Sequence, residues 1–165
     1  MTRKTRIRAA LVTATALATA AAVAVGVSAA GADEPGKPTE KEIAALFDGW
    51  NETLQTGDPA KVTDRYADDA VLLPTVSNKI RTNHAEIEDY FHHFVENKPV
   101  GTKTKTVINV LDDDSAIDTG SYYFTLTDPK TGEKSRVDAR YTYEYEKRDG
   151  KWLIVNHHSS MMPEG

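Results

Sequence analysis

Residues 135–147 read SRVDARYTYEYEK and residues 148–160 read RDGKWLIVNHHSS. In the first stretch Val137, Ala139, Tyr141, Tyr143 and Tyr145 alternate with Asp138, Arg140, Thr142, Glu144 and Glu146. Strict alternation is the period of a strand with one buried and one wet face, so the tyrosines mark an inner surface and Arg140 an outer one. The second stretch is apolar in both registers, with Trp152 and Ile154 in one and Leu153 and Val155 in the other, which predicts a strand covered on both sides. Arg148-Asp149-Gly150 between them is the chemistry of a tight hairpin turn.

Upstream, residues 104–111 and 116–127 also read as strands. Asp112-Asp113-Asp114 and the run Asp128-Pro129-Lys130-Thr131-Gly132 form the connections, and connections this short make an antiparallel meander. Before the meander the period changes to that of helices. Thr39 and Glu42 form a capping box, and Ile43, Leu46, Phe47, Trp50 and Leu54 follow at steps of three and four, which predicts one apolar helix face. Asp58-Pro59 starts a short second helix, residues 70–73 a strand, and Asn83 with Glu86 a third helix whose inner stripe holds Ile87, Tyr90, Phe91, Phe94 and Val95. Helices gathered ahead of a long antiparallel sheet give an α+β fold, with three N-terminal helices packed on one face of a curved, mainly antiparallel β-sheet.

The first 32 residues differ in kind. They hold twelve alanines against eight in the rest of the chain, and Arg3, Lys4, Arg6 and Arg8 are their only charges. A basic start, an apolar stretch from Ala9 to Val27 and a small-x-small site at Ala30-Gly31-Ala32 have the layout of a secretory signal peptide. The expectation is therefore a leader at 1–32, a flexible lead-in at 33–38 and one domain at 39–163, secreted and free of the membrane after cleavage near Ala32. The remainder carries 16 basic against 25 acidic residues, a formal charge of −9, which argues against nucleic acid as a partner. With no cysteine, an exported domain must be held together by burial rather than disulfides.

The stretch TGD at 56–58, the run YADDAVL at 66–72 and the final RDGKWLIV at 148–155 resemble the cone-shaped NTF2-like superfamily. Within it, RDGKWLIVNHHSSMMP and the Val95-Glu96-Asn97 that closes the third helix are similar to the association (hub) domain of calcium/calmodulin-dependent kinase II and to its bacterial SnoaL-like and SgcJ/EcaC-like relatives. The resemblance implies a homodimer or larger ring and a cone-shaped pocket, and it implies neither kinase nor calmodulin chemistry. No Gly-rich loop and no HRD or DFG run is present, so the parts for phosphoryl transfer are missing.

Aligned with the hub on the RDGKW turn, Phe91, Tyr123, Tyr143 and Ser159 take the places of its pocket lining. Tyrosines where the hub has arginines suit a small hydrophobic ligand with one or two polar groups. His157 shares the Ser159 register and is the best candidate for a catalytic base if the chain is an enzyme, in which case the resemblance implies acid/base work on a polyketide-like substrate. Arg140 and His158 are expected on the outer sheet face, the surface NTF2-like proteins use to dimerise. His92-His93 and His157-His158 could invite a metal, but neighbouring strand residues face opposite ways and the helical pair lies off the apolar stripe. No metal and no cofactor is expected. The turn acids Asp68-Asp69 and 112–114 serve as caps.

Overall fold

A computed structural model describes residues 36–163, so the expected leader and the first half of the lead-in lie outside the described residues. Helices α1 (Glu40–Gln55) and α2 (Pro59–Thr63) precede strand β1 (Tyr66–Leu73). Helix α3 (His84–Val95) then leads into β2 (Val100–Val110), β3 (Ser115–Thr127), β4 (Lys134–Arg148) and β5 (Lys151–Met161). The helices thus do not form one N-terminal block, because β1 intervenes before α3. The strands make one sheet in the order β1-β5-β4-β3-β2. β1 pairs with β5 in parallel and the other pairings are antiparallel.

Local chemistry accounts for the boundaries. Glu42 N donates to the Thr39 hydroxyl at 3.2 Å while Thr39 N donates to the Glu42 carboxylate at 2.7 Å, closing the capping box. Asp58 and Asn83 cap α2 and α3 by accepting from the Ala60 and Glu86 N–H groups at 3.1 and 3.0 Å. At the β4–β5 hairpin Asp149 and Gly150 both have positive φ, 51° and 78°, the backbone of a turn whose twist matches that of the strands it joins.

Helices cover one face of the sheet. Ile43, Phe47, Trp50 and Leu54 of α1 and Ile87, Phe91 and Val95 of α3 are buried with Tyr122, Phe124, Tyr141, Tyr143 and Tyr145. Asn51 ties α1 to β2 by donating to the Gly101 carbonyl at 3.0 Å and accepting from its N–H at 2.8 Å. Among the apolar residues of β5 only Ile154 is buried, and Trp152, Leu153 and Val155 are half-buried. A register shift at Glu144/Tyr145 pairs Tyr145 with Ile154 and Glu144 with Asn156. That bulge skips Val155, so Ile154, His157 and Ser159 all face the helices.

Candidate functional site

A cavity of about 50 Å³ opens between the helices and the sheet. α1 supplies Trp50, α3 supplies Tyr90, Phe91 and Phe94, β3 supplies Tyr122 and Phe124, and β5 supplies His157 and Ser159. The loop after β1 contributes Pro74, Thr75 and Val76. The site exists because the apolar stripe of α3 and the inner faces of β3 and β5 are splayed by ring-sized side chains. Its size admits roughly three to five water-sized groups, so a polycyclic substrate does not fit inside it.

Of the residues expected to line the pocket, Phe91, His157 and Ser159 do so. Tyr143 does not reach the cavity, because its ring lies flat against His157 with centroids 4.0 Å apart and forms the layer beneath. Tyr123 corrects the sequence reading more sharply. It points to the opposite face of β3, where the Arg136 guanidinium sits 3.8 Å from its ring centroid, and Tyr122 takes the pocket position. The misreading has a physical cause. The inward register of β3 is Ala116, Asp118, Gly120, Tyr122 and Phe124, and its Asp and Gly look like surface residues. Asp118 is fully buried because Lys103 and the Tyr141 hydroxyl, 3.0 Å away, donate to its carboxylate. Phe124, which shares the parity of Tyr122, was the available signal. Trp50, Tyr90 and Thr75 were also missed as lining residues.

The polar end of the cavity is a chain of side chains. The Tyr66 hydroxyl lies 2.9 Å from His157 Nδ1, and His157 Nε2 lies 3.5 Å from the Tyr122 oxygen. The Tyr122 hydroxyl donates to Ser159 Oγ at 2.7 Å, and Ser159 Oγ meets Thr75 Oγ1. Since Tyr122 spends its proton on Ser159, its oxygen accepts from Nε2–H, and Nδ1 accepts from Tyr66. His157 is 4 % exposed, and burial first, then the neighbouring His158, lowers its pKa to about 3. It is neutral at physiological pH. Burial raises the hydroxyls of Tyr66 and Tyr122 above the ordinary phenol range and takes Tyr90 up to about 12.

Among the described residues no carboxylate completes a dyad with His157. Asp118 pairs with Tyr143 across β3–β4, and Tyr143 with His157 across β4–β5, so the acid sits two strands away, about 10 Å. His92 and His93 are exposed on α3, with His92 3.8 Å from Glu88. His158 is exposed on the outer face, opposite Thr142. There it lines a shallow depression with Arg140, Thr119, Thr142 and Ser160. Among the described residues no cluster of three or more His, Asp or Glu forms a metal-binding group.

The model of the calcium/calmodulin dependent protein kinase II association domain family matches residues 39–163. A solved structure from Xanthomonas campestris, provisionally described as such an association domain, is 59% identical. The match covers 78% of this chain and 91% of that one, with a TM-score of 0.76. An NTF2-like superfamily protein from Salmonella enterica is 15% identical over 75% of this chain and 91% of its own, with a TM-score of 0.64. An NTF2-like protein from Novosphingobium aromaticivorans is 11% identical over 76% and 82%, with a TM-score of 0.62. These last two show the fold alone. The search of curated proteins gives no match.

Proposed function

The chain belongs to the calcium/calmodulin dependent protein kinase II association domain family, and from that premise we propose that it is an exported, self-associating module that holds a small, largely apolar ligand in its cavity. The outer face of β4 carries the proposal. Arg140 and Glu144 stand two residues to either side of Thr142, and neither makes an ion pair among the described residues. If a two-fold axis passes by Thr142 and the two β4 strands cross it antiparallel, Arg140 of each copy meets Glu144 of the other. Val107, 47 % exposed, and the half-buried Ile117 and Leu153 supply apolar surface on that face.

Acid/base catalysis is the weaker reading. Both ring nitrogens of His157 are engaged by tyrosine hydroxyls, no carboxylate among the described residues touches it, and a group whose pKa lies near 3 neither stores nor delivers a proton at neutral pH. Sedimentation at micromolar concentration tests the association. Arg140→Glu should weaken it, and adding Glu144→Arg should restore it. A parent protein that sediments only as a monomer overturns the proposal.

A further inference from the structure

The polar end of the cavity specifies the charge and hydrogen-bonding character of what it holds. This step rests on the reading that the cavity binds a ligand at all. Tyr66, His157 Nε2, Tyr122, Ser159 and Thr75 bring one proton each, and the chain they form has one link fewer than it has donors. Tyr66 donates to His157, His157 to Tyr122 and Tyr122 to Ser159, so the unspent O–H falls on the Ser159–Thr75 pair. Ser159 is 5 % exposed and Thr75 is half-buried, and both line the cavity.

No lysine, arginine, aspartate or glutamate shares that lining. The nearest cations stand outside the lining. Arg81 stacks on the outer side of the site, 5.3 Å from the Tyr90 ring centroid, where its Nη1 donates to Ser77 Oγ and to the Lys79 carbonyl and its Nε has no partner among the described residues. Lys103 donates to Asp118. An anion entering the cavity would lose its hydration and find only neutral donors in return, the free hydroxyl and the unpartnered Trp50 Nε1–H, an exchange that penalises the charged form heavily. A neutral oxygen acceptor loses far less and satisfies the free donor.

We infer that the cavity selects a small uncharged molecule that presents a carbonyl or similar acceptor oxygen to Ser159 and Thr75, with its apolar part against Phe91, Phe94 and Phe124, and that it rejects carboxylates of the same shape. The volume of about 50 Å³ admits a molecule of roughly five heavy atoms at most. 2-Butanone and propionate have that size and nearly one shape, and they differ in charge.

The experiment is an NMR titration of the protein with each at pH 7 and equal ionic strength, following the amides of Thr75, Tyr122, Phe124 and Ser159. 2-Butanone should give saturable shifts confined to the lining residues, and propionate should bind at least about ten-fold more weakly. Propionate binding as well as the ketone overturns this inference and leaves the cavity a ligand site. Silence with both probes overturns the ligand reading as well. Variants separate donor from scaffold. Thr75→Val leaves Ser159 to carry the free proton and should weaken 2-butanone binding less than the double variant does. Thr75→Val with Ser159→Ala withdraws that proton to Tyr122, deeper in the wall, and should lose roughly five-fold in affinity, the worth of one hydrogen bond. Undiminished ketone binding by the double variant, with the parent's dispersed spectrum retained, overturns the assignment of the donor.

Discussion

His157 shows how a residue legible in the sequence acquires its chemistry only from its surroundings. The sequence places it on the inner register of the last strand. Its neutrality comes from burial against Trp50, whose ring stands edge-on to it at 5.6 Å, and Tyr143 beneath it, and then from the neighbouring His158. The consequence is a pH dependence of stability. Its folded pKa of about 3 lies below the ordinary imidazole value near 6.5, so between those values the unfolded chain binds the extra proton. The contribution is complete above about pH 6.5 and declines as pH falls toward 3, by up to ~1.4 kcal/mol per pH unit. The exposed carboxylates held low by their partners, such as Asp69 by Arg148 and Asp138 by Arg136, add to acid lability in both parent and variant. Urea unfolding from pH 7 to pH 4 should therefore show a shallower decline for His157→Gln than for the parent, and equal slopes would contradict a buried neutral imidazole.

Among the elements, helix starts were legible because capping is a matter of residues three apart. The shape of the sheet was not, because bulges are set by a neighbouring strand. Gly120 illustrates the difference. A Cβ there would lie 1.9 Å from the Lys105 carbonyl oxygen, where β2 shifts register between Lys103 and Lys105. That shift turns Lys103 inward to Asp118. Gly120→Ala must push β2 away and should cost at least ~2 kcal/mol in denaturant unfolding, the penalty of overpacking a closed site. Gly132→Ala is the control. Its φ is 72° with nothing within 4 Å of the added carbon, so it should cost only ~1 kcal/mol, the strain of a left-handed alanine. Similar losses at the two positions would mean that β2 does not close on Gly120.

At the scale of the whole molecule, the basic start and the acidic remainder call for separate fates. The leader lies outside the described residues, and its removal is part of the proposed function. If it is cleaved after Ala32, mass spectrometry of culture supernatant should find a chain that begins at Asp33, or within a residue or two of it. An intact Met1–Val27 segment in the exported protein would refute this. Among the described residues no helix is long and apolar enough to cross a membrane.

The sequence by itself determined the three helices, the four meander strands, the tight hairpin at Asp149-Gly150, the α+β class and the inner tyrosine face of β4. All of these follow from interactions between residues two to four apart. Tertiary structure alone decided the face of β3 and the make-up of the cavity. Asp118 can point inward only because Lys103, 15 residues away, and Tyr141, 23 residues away, satisfy its carboxylate, and that choice carries Tyr122 into the pocket and turns Tyr123 out. The polar chain joins Tyr66 to His157 across 91 residues and Thr75 to Ser159 across 84. A buried polar group needs a partner in space, and no local pattern in the chain names a partner that distant.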